Sequence, residues 1–239
     1  MPTDQVLTPQ EMEELRTLNS CQVADAIDTF NVRLRNEGYM APSVRCVFPS
    51  LPSMVGYAAT ARIRTAEPPM AEKAYLDRAD WWNYLLTIPA PRVVVIEDLD
   101  HHPGRGSCAG EVHAHIYKAL GCAGLVTNGA VRDLQAAESI GFCFFSGAVT
   151  VSRAYYHMVE FGKPVEVGSL KVQPGNLLHG DRHGVLFVPQ MIARDVPKAA
   201  ARIKALERRV LGVADSPNPS VQELRAAVHE SVERNIFRG

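Results

Sequence analysis

The sequence predicts an α/β protein: one domain whose strands are joined by right-handed parallel crossovers, with a helical arm at its C-terminal end. Three observations predict it. Between residues 93 and 145, apolar runs of strand length alternate with helix-length segments in the order strand, helix, strand, helix, strand, with short links. The 239 residues suffice for one full-sized core. Beyond residue 190 the composition turns rich in Ala, Arg and Lys, and Asp215-Ser216-Pro217-Asn218-Pro219 divides it into two helices. The expected organisation is a domain over residues 1–211 followed by a linker and terminal helix over 212–239.

The elements follow in order. Thr8-Pro9 opens a helix over residues 8–18, with Met12, Leu15 and Leu18 on one face. Ser20 is placed as the N-cap of a second helix through Phe30, and residues 31–53 read as irregular. The alternation Val55, Tyr57, Ala59, Ala61, Ile63 predicts a strand. Residues 70–86 predict a helix with Tyr75, Trp82, Leu85 and Leu86 inward; Trp81-Trp82 is read as a core anchor with a half-buried neighbour in preference to a ligand wall. Val93–Ile96, Gly124–Thr127 and Phe142–Phe145 are buried strands, separated by helices over Glu111–Leu120 and Leu134–Ile140. Short strands around Val165–Val167, Leu177–His179 and Val185–Val188 are punctuated by Gly168, Pro174-Gly175 and Asp181–Gly184. Helices over 190–211 and from Ser220 to Ile236 complete the chain.

Composition narrows the function. An apolar fraction of 46% with 21% charged residues is that of a globular protein. A net charge of -1 gives no electrostatic footprint for nucleic acid or an anionic membrane. No apolar run is long enough to span a bilayer, and the polar start Met1–Gln5 lacks a secretory pattern. The five cysteines (Cys21, Cys46, Cys108, Cys122, Cys143) show no CxxC spacing and read as reduced thiols of a cytoplasmic protein, Cys122 and Cys143 as core residues. His113 and His115 point in different directions on a helix, His101-His102 and His179/His183 are placed in turns, and no third ligand suggests zinc. Gly104-Arg105-Gly106 is neither GxGxxG nor a P-loop, and neither Ser107 nor Ser146 lies in GxSxG.

Chemistry is expected beyond the carboxyl ends of the parallel strands. Two adjacent ends carry Gly110-Glu111-Val112-His113 and Asn128-Gly129-Ala130-Val131-Arg132-Asp133. Each leads into a helix N-terminus, whose free N–H groups favour an anion. One site would hold carboxylates at Glu111 and Asp133 and a guanidinium at Arg132, enough for a hard cation such as Mg²⁺ or Mn²⁺ that chelates a 2-oxo acid. Cation and Arg132 would stabilise the enolate left when a C–C bond breaks. Plainer roles stand beside this one. Asp133 could be a simple N-cap, Glu111 a first-turn acid, and Arg132 a partner of Asp133 on a surface turn.

Glu111, twenty intervening residues and Arg132-Asp133 resemble the acid-X20-Arg-Asp signature of the RraA-like family. Gly121–Asp133, Val23-Ala24-Asp25-Ala26, Val172–Asn176 and Gly180–Val185 resemble other segments of that family in the same order, from about Ser20 to Glu207. The family comprises class II pyruvate aldolases acting on 4-hydroxy-4-methyl-2-oxoglutarate and 4-carboxy-4-hydroxy-2-oxoadipate, and regulators of ribonuclease E. The resemblance implies an α-β-β-α sandwich with a central parallel or mixed sheet, assembled as a homotrimer or homohexamer. It implies that Asp133 ligates the metal, Glu111 holds water on it, and Arg132 contacts the keto or enolate oxygen. The amides of Gly110, Val112 and His113 would bind the pyruvyl carboxylate. Glu207 matches in position a glutamate that reaches a neighbouring subunit's site, although Leu206 stands where Lys is usual. Asn128 replaces a frequent Asp, and His113 a frequent apolar residue. The expected activity is a metal-dependent C–C lyase on a small 2-oxo acid, by retro-aldol cleavage or oxaloacetate decarboxylation. The alternative is a non-catalytic regulator of an RNA-processing enzyme.

Overall fold

The computed structural model describes residues 6–69 and 78–233. Helix α1 (Pro9–Arg16) starts at a capping box in which Thr8 and Glu11 bond each other's backbone N–H. Helix α2 (Ser20–Asp28) is capped by Asn19, one residue before the expected Ser20, because Asn19 and Gln22 form the reciprocal pair. Ser20 Oγ instead lies 3.1 Å from His179 Nδ1. Strands β1 (Arg45–Cys46) and β2 (Met54–Arg64) follow. Helix α3 spans Arg78–Thr87, and the expected start of this helix, with Tyr75, lies outside the described residues. Its inward pair is Trp81 and Leu85, at i and i+4. Trp82 is half-buried, and Leu86 is exposed where burial was expected.

The centre keeps the expected alternation: β3 (Arg92–Asp98), β4 (Ser107–Ala109), α4 (Glu111–Ala119), β5 (Cys122–Val131), α5 (Leu134–Ser139) and β6 (Cys143–Val149). Strand β4 was not expected; three residues carry no period. Next come β7 (His157–Phe161), β8 (Val165–Val167), β9 (Leu170–Val172), β10 (Leu177–Asp181) and β11 (Gly184–Val188). The single helix expected over 190–211 is a short 3-10 turn, Gln190–Ile192, and then α6 (Val196–Ala214), which begins where Pro197 suits a first turn. Helix α7 (Val221–Glu233) packs against α6 and starts at a box between Ser220 and Glu223.

The nine-stranded sheet runs β1-β6-β5-β3-β2-β10-β11, with β4 added to β5 and β7 to β2. The pairs β2–β3, β3–β5 and β5–β6 are parallel, as the crossovers predict, and the outer pairs are antiparallel. The sheet is mixed and nearly closed. The period-2 alternation of strands sorts its two faces. Tyr57, Ala59, Val94, Ile96, Leu125 and Phe144 pack against the helices, with Leu15, Ile27, Leu85 and Ile203. Ala58, Val93, Val95, Val126 and Phe145 face the other way and are covered by the β8–β9 ribbon through Val165, Val167 and Val172. Each such buried aliphatic side chain contributes about 1.5–3 kcal/mol. His179 lies buried within β10, not in a turn, while His183 sits at the β10–β11 turn against Asp181. All five cysteines are free thiols; Cys108, Cys122 and Cys143 are buried. Among the described residues no helix is long and apolar enough to cross a membrane.

Candidate active site

The site begins with the way β5 ends. Asn128 stitches β3 to β5: its Oδ1 accepts the Asp98 N–H at 2.7 Å and its Nδ2 donates to the Asp98 carbonyl at 3.0 Å. Asp98 is buried, and desolvation raises its carboxyl above the usual range, partly offset by the N–H groups of Gly104 and Asp100. Beyond this clasp β4 takes over as the neighbour of β5, pairing in parallel at Ser107–Ala130 and Ala109–Val131. The Arg132 N–H continues the ladder to the Ala109 carbonyl at 3.0 Å. Gly110 is thereby laid directly against Arg132-Asp133.

Asp133 then departs from the behaviour of a simple cap. It is left-handed (φ 52°, ψ 47°), and its side chain makes no capping bond to its own helix α5. A non-glycine residue in this region carries strain and persists there only when its surroundings hold it. Here its Oδ2 accepts the Glu111 N–H at 3.2 Å, so the carboxylate closes the N-terminus of α4, another helix. Arg132 Nε stands 3.4 Å from the same oxygen, and the Arg132 guanidinium also reaches the Val151 carbonyl at 3.4 Å. The Arg132 and Asp133 side chains are 25% and 40% exposed, so the pair is accessible. Gly110 makes the approach possible: a Cβ there would stand 2.4 Å from Asp133 Oδ2. Its φ of −155° is extended backbone, so the requirement is one of space. Glu111 is exposed in the first turn of α4.

A small cleft of about 10 Å³ lies here, lined by Ser107, Gly110, His113, Asp133, Arg153 and Tyr156 among others. That is room on the order of one water-sized species. Ser107 is 3% exposed, and its Oγ is buried without a hydrogen-bond partner. An unsatisfied buried hydroxyl costs about 1–3 kcal/mol, and this one belongs to a residue that lines the cleft. His113 faces Tyr117 and Tyr156 at ring separations of 5.9 Å. Burial, reinforced by the charges of Arg153, Arg78 and Arg132, pushes its imidazole down to about 4, so the ring is neutral at neutral pH.

The family model described as RraA-like, Aldolase/RraA, matches residues 20–187. The chain belongs to the RraA-like family. It is similar to the "Putative 4-hydroxy-4-methyl-2-oxoglutarate aldolase" of Halalkalibacterium halodurans, at 28% identity over 133 residues, 53% of this chain and 63% of that relative. The chain thus matches less than two thirds of that curated relative's length. Among solved structures it resembles an uncharacterized protein from Pseudomonas syringae pv. tomato (TM-score 0.73, 22% identity, 96% of this chain and 98% of the other). It also resembles RraAS2 of Streptomyces coelicolor, an unusual member of the RNase ES inhibitor RraA protein family (TM-score 0.67, 18% identity, 85% and 97% of the two chains). At these identities the two structures bear on the fold alone, and they share the RraA-like fold.

The fold of this RraA-like chain brings Gly110, Glu111, Val112, His113, Arg132 and Asp133 together. It sets Glu207 apart: that residue is on α6, where its charge acts on Asp25 of α2. Among the described residues no group of three or more His, Cys, Asp or Glu is placed to hold a metal. The Asp133 carboxylate and the Ser107 hydroxyl line the cleft, and Glu111 is exposed in the first turn of α4 beside it. A hard cation that retains most of its water, such as Mg²⁺ or Mn²⁺, needs only one or two such carboxylate oxygens, which these residues fit. Ser107, Arg153 and Tyr156 were missed by sequence reasoning. Ser107 lies in the unexpected strand β4, and the other two come from a segment with no periodic signal.

Proposed function

We propose that this RraA-like chain is a divalent-metal-dependent carbon–carbon lyase acting on a small 2-oxo acid. The observation that carries the reading is the Asp133 carboxylate, held in a left-handed turn against Gly110 by the Glu111 amide and Arg132, beside the partnerless Ser107 hydroxyl. Asp133 and Glu111 would hold Mg²⁺ or Mn²⁺. When bound, the cation supplies a Lewis acid for the charge that develops on the substrate's keto oxygen.

The chain's own groups do the rest. The amides of Val112 and His113 lie in the first turn of α4 and have no carbonyl partner within the helix, so with Gly110 they offer donors to the substrate carboxylate. Ser107 Oγ adds a donor from the floor. Arg132, always charged, faces the keto oxygen and stabilises the enolate formed as the C–C bond breaks. In decarboxylation the bonding pair moves from the departing CO₂ into the enolate, which then takes a proton from solvent. Retro-aldol cleavage also requires a base to take the substrate's hydroxyl proton. Glu111 fills that role within the chain, or Glu207 across an interface in a homotrimer or homohexamer. The exposed apolar residues Val149 and Val151, close in sequence to the site, support a homo-oligomer.

The test is pyruvate release from oxaloacetate, with Mg²⁺ or Mn²⁺ against EDTA and the free-metal rate subtracted. Turnover above background is expected, and Asp133→Asn should remove at least about 1000-fold of it, on the scale of removing a principal charge-stabilising group, with the circular dichroism unchanged. Full turnover in Asp133→Asn would sink the site assignment. No turnover with either metal would favour a regulatory binding protein.

A further inference from the structure

A second cavity of about 230 Å³ adjoins the small cleft, with Val112, His113, Arg153 and Tyr156 lining both. Trp82, Ile116, Tyr155 and Met158 complete much of its wall. Three carbons of pyruvate would leave this space unfilled, whereas an apolar cavity on the order of 150 Å³ holds a benzene ring.

The wall chemistry narrows the occupant. Val112 and Tyr155 keep 58% and 54% of their surface exposed, so apolar area stands ready to be covered. His113 presents its ring between Tyr117 and Tyr156. Arg78 and Arg153 also line the cavity, and guanidinium planes stack on aromatic faces. A strongly hydrated aliphatic tail would leave unpaired those of its polar groups that face Trp82, Ile116 and Met158, and only groups facing Arg78 and Arg153 would find donors.

We infer that this cavity receives an aryl or comparably flat apolar group on the far side of the substrate, which makes the substrate class 2-oxo acids bearing such a group. The inference rests on the reading of Asp133, Glu111 and the α4 amides as the seat of a metal-chelated 2-oxo acid. It is tested by titration calorimetry of the full chain with Mn²⁺, comparing phenylpyruvate with pyruvate. Phenylpyruvate should bind about tenfold or more tightly, a modest share of what burying an aromatic ring can contribute. Ile116→Trp fills the cavity from α4 and should bring the ratio of the two dissociation constants close to one. Tyr155→Ala, at an exposed position that does not depend on core packing, should lower the same ratio severalfold.

Equal affinities in the wild type, or a ratio that neither variant moves, would overturn the inference while metal-dependent pyruvate binding left the site reading standing. No metal-dependent binding of either acid would overturn both.

Discussion

Asp133 with Glu111 and Asp25 with Glu207 are pairs of carboxylates whose surroundings differ. Asp133 and Glu111 meet at the N-terminus of α4, where an amide N–H and the Arg132 guanidinium receive the Asp133 oxygen. Asp25 and Glu207 meet where α2 packs on α6. There desolvation and the charges of Glu207 and Asp28 push the Asp25 carboxyl above its usual range. Among the described residues neither Asp25 nor Glu207 forms an ion pair. In the first pair Asp133 is compensated by those donors and lines a cleft. The second is tolerated at a helix seam. Two acids close together are therefore a weak sign of a site, and donors converging on the same oxygen are a stronger one.

The comparison breaks most visibly at Gly110. Gly110→Ala would bring a Cβ against Asp133 Oδ2 and Arg132 Cγ, at 2.4 and 2.9 Å. Displacing the carboxylate should weaken metal-dependent pyruvate binding by about 10–100-fold and cost about 1–3 kcal/mol of stability. Calorimetry and denaturant melts read the two, and an unchanged affinity would show that the carboxylate position is immaterial.

The next effect is a pH dependence. The folded His113 imidazole titrates near 4 and an ordinary one near 6.5, so the unfolded chain binds more protons between those values. Stability is fully present above about 6.5 and falls as pH drops towards 4. With the ring partly exposed, the loss should be on the order of 2 kcal/mol. His113→Phe should flatten that limb in melts taken from pH 7 to 4; a parallel profile would remove His113 as its cause.

Ser107→Ala sharpens the comparison from the neutral side. It removes an unsatisfied hydroxyl, so stability should hold or rise by up to about 1 kcal/mol, while pyruvate binding weakens about tenfold, some 1.4 kcal/mol. Unchanged binding would assign the hydroxyl to the core alone. Smallest is Asp25→Asn at the uncompensated pair. It should raise the melting temperature slightly at pH 7, by less than about 0.5 kcal/mol in stability. The gain should disappear in acid, where the native carboxyl is protonated as well. A loss at pH 7 would mean that Asp25 is stabilised by a partner after all.

Features dictated by local pattern were legible in the sequence. The apolar runs at Val93–Ile96 and Gly124–Thr127 became adjacent parallel strands because uninterrupted apolar residues suit a sheet buried on both faces. The site was legible as a set of residues near two strand ends. Its geometry was not, because Asp133 bonds an amide 22 positions earlier and its turn is set by that partner. Trp81-Trp82 and Leu85-Leu86 offered two helical phases of equal hydrophobicity. Packing chose the one that lets the Trp81 indole N–H reach the Tyr117 hydroxyl, a contact between different elements. Ser20 looked like a cap until Asn19 found Gln22 and Ser20 found His179.

The parts of the molecule also differ in how they are inherited along the chain. The groups that would hold the cation and the substrate carboxylate all lie between Ser107 and Asp133, in one β-α-β unit whose pieces constrain one another at close range. The far wall of the larger cavity is drawn from elsewhere, from Trp82 on α3 and from residues 153–158. Changes in that wall need not disturb Gly110 or Asp133. A lineage built on this fold can therefore keep one reaction centre through descent while exchanging the molecules it admits, and relatives that share the signature can diverge in diet before they diverge in chemistry.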